Sequence, residues 1–347
     1  MVGKAMINDF QEEIEYRKLA LKKDIKKSGG NCARILLALV LSTYGLVFIM
    51  TFSIKFIGPM IGFNAVTNLK ENIILGLSSD AYNFFAGYFT CIVGDLIAIL
   101  IAIKTIKVKF RQEIFSKNKS NKMFVLLGAT SCIGVGMISS MVYMIYSTIF
   151  KILGLNIPQP DFSFPKQNTF LILFLIYVCL VGPILEEIIF RGFILRSMQK
   201  YGNLTAMIVS SILFSMFHLN LVQFINPIVM GIVLAFIAIK SKSIIPSMIA
   251  HIFNNTITFA TTGISLLKMP ILEYTFGTLY FLVGVAALLL FISKYKSEFL
   301  EIVKEDTRIL KTHQKVRYSF SGAWSRAYIV FYIIFIVVTM AATNLAK

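Results

Sequence analysis

The sequence predicts an all-α, polytopic membrane protein, and three observations carry this prediction. The mean hydropathy of the 347 residues is +0.77, and 57% of them are hydrophobic. Only 15% are charged, whereas about 25% of the residues in an ordinary soluble domain are charged. Several apolar runs reach about 18 residues or more, which is long enough for a helix to cross a bilayer core.

Eight or nine transmembrane helices are expected. The polar segment 1–33 is interpreted as a cytoplasmic N-terminal segment, either an amphipathic helix on the inner leaflet or a partner-binding arm. Nine apolar runs follow it in a helical membrane domain over 34–345: 34–57, 82–103, 123–149, 168–190, 204–219, 224–239, 244–262, 272–293 and 327–345. The four cysteines lack C-x-x-C spacing, so a disulfide scaffold is excluded.

The distribution of basic residues predicts the orientation in the membrane. The chain has 34 Lys and Arg against 17 Asp and Glu, a formal charge of +17. A cytoplasmic N-terminus places 28 of the 34 basic residues inside, in 1–34, 104–122, 191–203, 240–243 and the basic loop 294–326. Topology and attraction to inner-leaflet lipids therefore explain the basic excess, and a nucleic acid partner is not expected.

Polar and ionisable side chains concentrate in residues 168–262. They form three clusters, each in a different span: Glu186 and Glu187 with Arg191, Phe214 with His218, and His251 with Asn255. A charged group inside a span costs a few kcal/mol, so such groups usually face a cavity and serve function. A further acidic residue, Asp95, lies alone in the second span and is equally well explained as a polar helix contact or as a lining residue of a site.

Helical spacing separates the two glutamates. Glu187 and Arg191 are four residues apart and can form an ion pair on one face of a helix. Glu186 is rotated by about 100° from Glu187 and is free to face something else. A carboxylate on one helix and histidines on two others are a minimal set for activating water and stabilising an oxyanion.

These clusters resemble the motifs of the CPBP family of intramembrane endopeptidases, which includes type II CAAX prenyl proteases and bacteriocin-processing or immunity proteins. The family pattern is E-E-x-x-x-R, then F-x-x-x-H, then H-x-x-x-N, each on its own membrane helix. All three motifs occur here in that order. The resemblance covers about 80 to 95 residues of the chain, in the core 168–262. The resemblance implies a glutamate-type protease acting on a membrane-associated or lipidated peptide.

The resemblance also implies a role for each residue. Glu186 would activate the hydrolytic water with assistance from His218, and His251 with Asn255 would stabilise the oxyanion. Glu187 and Arg191 would be the supporting ion pair. No cofactor is needed for that mechanism, and H-E-x-x-H is absent, so a metal-free enzyme is favoured; a zinc site of one carboxylate and two imidazoles is the alternative.

Two other classes of function stay open at this point. Buried Glu and His side chains also serve as proton relays in proton-coupled transporters. A non-catalytic immunity or scaffold protein of the membrane could retain the same motifs. Expected partners are membrane lipids and a peptide or lipopeptide substrate, and the richness in Lys, Ile and Asn points to the plasma membrane of a bacterium.

One inconsistency accompanies the predicted spans. Counted from the inner edge at about 1.5 Å per residue, Glu186 and His251 lie about 13 to 15 Å deep, but His218 lies about 25 Å deep. A shared site therefore requires the fifth span to be tilted, broken or entered later. The polar residues after His218 suggest a connection that lines water.

The charge distribution generates a test of orientation. In a variant without the native cysteines, Lys107→Cys and Lys304→Cys should resist a membrane-impermeant maleimide on intact cells and react after permeabilisation. Lys166→Cys lies in a segment predicted to be outside and should react in intact cells. Rapid labelling of both inner positions in intact cells would reverse the predicted orientation.

Overall fold

The computed structural model describes residues 2–63, 65–108, 115 and 120–345, and these are almost entirely helical. We number the helices of this part in chain order: α1 Val2–Phe52, α2 Ser79–Thr105, α3 Lys122–Ile152, α4 Asn168–Gln199, α5 Asn203–Phe217, α6 Ile225–Ser241, α7 Ile245–Leu266, α8 Pro270–Ile302, α9 Thr312–Ser319 and α10 Ala323–Leu345. A two-stranded antiparallel hairpin, β1 Ile73–Ile74 and β2 Leu77–Ser78, precedes α2. The predicted all-α fold is confirmed.

Every predicted span coincides with a helix, but the helices differ in length. Within the described residues, six helical runs are long and apolar enough to cross a membrane: Gln11–Ile61, Ser79–Thr105, Lys122–Ile152, Asn168–Gln199, Pro270–Ile302 and Ala323–Leu345. Helices α5 and α6 are apolar but have only 15 and 17 residues, fewer than the about 20 that a crossing helix needs. The chain is thus a polytopic helical membrane protein in which part of the expected set of eight or nine spans consists of short helices.

The first helix is longer than its predicted span. No break separates 1–33 from the apolar run that follows, because α1 continues from Val2 to Phe52. Side chains in the middle of α1 are fully buried, including Ile25, Ile35 and Leu36, and α1 packs against α2, α9 and α10. The cytoplasmic location of residues 1–33 stays a prediction.

The fourth span also extends farther than predicted. Its expected end at residue 190 lies inside α4, which continues to Gln199. The helix continues past the basic residues on which the predicted end was based, because their side chains are bound by other groups of the protein. Arg191 pairs with Glu187, and Arg196 donates hydrogen bonds to Gln199 and to the carbonyl of Ala238.

This extension removes the conflict over the depth of His218. Glu186 lies thirteen residues before the end of α4, and His218 lies fifteen residues after the start of α5. Since a short turn joins these ends, the helical rise places both side chains about 20 Å from the same turn. Neither a break nor an unusual tilt of α5 is needed for a shared site.

The segment between α8 and α10 is more ordered than the predicted loop 294–326. Helix α8 runs to Ile302 and α10 begins at Ala323, so the connection is shorter and contains α9. Helix α9 packs against α1 and α5. Residues 104–122, the other predicted basic loop, lie largely outside the described residues.

A carboxylate from this connection caps α5. Glu305 accepts hydrogen bonds from the backbone N–H of Thr205 at 3.3 Å and from its hydroxyl at 2.9 Å. Gly202, which precedes α5, has no side chain for that purpose. Lys315 lies 3.5 Å from Glu305, and the two side chains are only 5% and 4% exposed. The connection thus holds the α4–α5 turn in place.

We expect Glu305→Ala to destabilise the fold. The change uncaps α5 and leaves the buried Lys315 without a carboxylate, and removing one partner of a buried ion pair costs about 3–5 kcal/mol. The apparent melting temperature in detergent should fall by several degrees. Glu301→Ala, on an exposed position of α8, is the matched control and should melt like the wild type. Equal melting of the two variants would contradict the capping role.

Candidate active site

A cavity of about 430 Å³ lies between α1, α2, α4, α6 and α7 and the turn after α5. Two carboxylates and two imidazoles line it, those of Asp95, Glu186, His218 and His251. Its wall also contains four amide side chains: Gln223, Asn226, Asn254 and Asn255. Much of the rest of the lining is apolar or aromatic, so the polar groups are gathered among hydrophobic side chains.

The glutamates are presented by an irregular part of α4. An α-helical stretch, Gly182–Glu187, lies between two π-helical stretches, Tyr177–Val181 and Ile188–Leu195. Single π-helical turns inside α-helices are rare and frequently occur at functional sites. Glu187 is completely buried, whereas Glu186 retains 15% side-chain exposure and faces the cavity. The predicted divergence of the two neighbours is therefore present.

Glu187 and Arg191 form the predicted ion pair. Glu187 Oε1 lies 2.9 Å from Arg191 Nη1, and neither side chain is exposed. The guanidinium lies 4.4 Å from the centroid of the Phe214 ring, and Nη2 donates to the carbonyl of Gly231 at 3.4 Å. Arg191 thereby connects α4 to α5 and α6. The contact with Arg191 gives Phe214, the first residue of the second motif, a structural role.

His251 lies between the two glutamates. Its Nδ1 lies 3.1 Å from Glu187 Oε1, and its Nε2 lies 3.6 Å from Glu186 Oε2. A carboxylate accepts hydrogen bonds, so Nδ1 carries the proton and, in the neutral ring, Nε2 carries the lone pair. The buried carboxylate thus orients the imidazole toward the carboxylate that faces the cavity.

His218 is oriented by its own helix. It follows the last residue of α5, and its Nδ1 lies 2.9 Å from the carbonyl oxygen of Phe214. A carbonyl can only accept, so this ring also presents Nε2 as an acceptor when neutral. Leu219 then adopts a left-handed conformation with φ of 52°, which ends the helix. The polar turn lines the cavity, as the sequence suggested.

Two hydrogen bonds hold the side chain of Asn255 in place. Its Nδ2 donates to the carbonyl of Val178 at 3.0 Å, and its Oδ1 accepts from Asn254 at 3.2 Å. Val178 belongs to the first π-helical stretch of α4. Asn255 therefore ties α7 to α4 and keeps one amide hydrogen for a second acceptor.

All six predicted site residues come together. Four line the cavity, and Glu187 with Arg191 lies behind them. The structure adds Asp95, which is 2% exposed and lines the same wall; the signal for it was a single acid in an apolar run. Among the described residues, no three His, Cys, Asp or Glu side chains are grouped so as to hold a metal ion. The catalytic roles stay predictions.

The ion pair generates a prediction for stability. Glu187→Gln leaves Arg191 buried without a counter-charge, a loss of about 3–5 kcal/mol. We expect a lower yield of monodisperse protein and a lower apparent melting temperature, measured by size exclusion and thermal unfolding in detergent. Glu273→Gln, the same change at an exposed position of α8, should behave like the wild type. Normal folding of Glu187→Gln would show that the pair is not structural.

The comparisons with known proteins concern the segment that contains this site. Residues 168–257 match the family model described as "Type II CAAX prenyl endopeptidase Rce1-like". A protein of Bacillus subtilis (strain 168), named "Putative membrane peptidase YdiL", is 36% identical over 85 residues. That alignment covers 24% of this chain and 35% of the relative. No solved structure gives a significant match to the chain. The resemblance to the CPBP membrane proteases is thereby confirmed for this segment, which carries all three motifs.

Proposed function

We propose that the chain is an intramembrane endopeptidase that hydrolyses a peptide bond in a membrane-associated or lipidated peptide. The observation that carries the proposal is the position of His251, between the buried Glu187 and the cavity-facing Glu186. The descriptions of the matching family model and of the Bacillus relative, both peptidases, support it. The orientation predicted from charge places the site toward the cytoplasmic half of a bacterial plasma membrane.

Glu186 is the proposed general base. It is the glutamate of the pair that faces the cavity, and its carboxylate accepts a proton from a water molecule as that water attacks the carbonyl carbon of the substrate. His218 presents Nε2 to the same cavity and accepts the second hydrogen of the water, which orients it. After the C–N bond breaks, Glu186 returns the proton to the departing amine.

His251 and Asn255 are the proposed oxyanion-stabilising groups. An imidazolium at His251 would pair with the carboxylate of Glu187, which keeps its charge when Glu186 accepts the proton of the water, while Nε2–H donates to the oxyanion. Asn255 contributes its remaining amide hydrogen. Because Glu187 holds His251 and the carbonyl of Val178 holds Asn255 before the substrate binds, little reorganisation is needed during the reaction.

Glu186→Gln tests the chemistry. The change preserves size and hydrogen bonding but removes the base, so we expect turnover to fall by about 10²–10⁴-fold while substrate binding persists. Candidate substrates are peptides whose cleavage, in quantitative proteomics of cell membranes, occurs with the wild type and with Glu273→Gln but not with Glu186→Gln. Single-turnover cleavage in detergent then gives the rate. Full activity of Glu186→Gln would refute the proposal.

A double variant tests whether the groups act together. If His218 orients the water that Glu186 deprotonates, the two losses are not additive. We expect the Glu186→Gln/His218→Ala variant to be little slower than the slower single variant in the same assay. Losses that multiply would assign His218 a separate function. Activity that depends on an added metal after chelation would favour the zinc alternative.

A further inference from the structure

Asp95 is a buried carboxylate that the proposed mechanism does not use. It lies on α2, outside the segment 168–257 that matches the family model, and only 2% of it is exposed. Its neighbour Gly94 packs so closely against Thr43 of α1 that a side chain at Gly94 would clash. Asp95 is therefore held rigidly in the cavity wall.

Asp95 has no hydrogen-bond or ion-pair partner among the residues that the structure describes. The other buried charges of this part of the chain differ in that respect. Glu187 pairs with Arg191, and Lys315 donates to two carbonyl oxygens and lies beside Glu305. A carboxyl group that is buried without a counter-charge avoids the cost of ionisation by keeping its proton, and a cationic group that enters the cavity would let it ionise and form a pair.

The cavity contains further hydrogen-bond acceptors besides Asp95. Glu186 is one of them, the neutral ring of His218 presents an acceptor nitrogen, and Asn226 Oδ1 is buried with no partner in the described residues. Among the residues that the structure describes, no Lys or Arg lines the cavity. A ligand that pairs with Asp95 and with these acceptors brings donors, and a lysine ammonium has three donors and no acceptor, while an arginine guanidinium has five.

We infer that Asp95 forms a subsite for a basic side chain, Lys or Arg, of the peptide that occupies the cavity. The inference rests on the proposed function for the identity of the ligand as a peptide. The ammonium or guanidinium would form a charge-assisted hydrogen bond with Asp95, and the aromatic rings of Tyr44 and Tyr177 in the same lining suit a cation. Asp95 thereby selects substrates, whereas Glu186 performs the chemistry.

The test measures binding and not cleavage. The probes are fluorescent peptides of about 20 Leu and Ala residues in which a single lysine moves through the sequence, each compared with the same peptide carrying norleucine there. Their affinities are measured in detergent for full-length protein with Glu186→Gln, which blocks hydrolysis and removes the other cavity carboxylate. We expect lysine to raise the affinity at least tenfold at one or a few positions, and Asp95→Asn to abolish that preference.

Two further variants separate charge from architecture. Asp80→Asn removes a carboxylate from the same helix outside this cavity, where Asp80 accepts from the Gln167 backbone N–H, and it should keep the lysine preference. Asp95→Glu keeps the charge and should retain part of it. The inference is overturned if no lysine position is preferred, if the preference survives Asp95→Asn, or if that variant weakens norleucine peptides equally.

The outcome is distinguishable from failure of the proposed function. A lysine preference that depends on Asp95 supports the subsite even if the wild type cleaves no peptide. Absence of cleavage would refute the proposed hydrolysis but would leave the subsite standing. Cleavage that depends on Glu186 but shows no preference for a basic residue supports hydrolysis and overturns the subsite.

Discussion

The buried ion pair of Glu187 and Arg191 is the constraint on which the site depends. Neither side chain has access to solvent, so each must satisfy the other. Arg191 reaches α5 through Phe214 and α6 through the carbonyl of Gly231, and Glu187 reaches α7 through His251. Four helices are thereby positioned around one pair of charges, and the orientation of His251 follows from it.

The same pair explains why two adjacent glutamates have different environments. One α-helical step turns Glu186 away from Glu187 and toward the cavity, and the flanking π-helical stretches of α4 free carbonyl groups such as that of Val178, which Asn255 then binds. A structural carboxylate and a chemically available one can therefore stand next to each other. Glu187 is fully buried in the ion pair, whereas Glu186 faces the cavity and can contact a substrate.

Helices outside the matched segment complete the cavity. Helix α1 contributes Thr43 and Tyr44, and α2 contributes Asp95. The connection between α8 and α10 acts at a distance, since Glu305 caps α5 and so fixes the helix that ends at His218. The short α5 lets a polar turn line the cavity, because a helix of full membrane length would continue past His218 and place that turn farther along.

The sequence by itself determined the fold class, the approximate position of the helices that contain the nine apolar runs, and the six polar residues that the fold brings together, because hydropathy and helical spacing are local properties of the chain. It did not determine where α4 ends, since Arg191 and Arg196 resemble a membrane edge unless their partners on α6 are known. The sequence also did not decide between the two interpretations of Asp95, and it did not indicate that His251 lies between both glutamates. Those facts depend on contacts between residues far apart in the chain, such as His251 with Glu187, and only tertiary packing brings them within hydrogen-bonding distance.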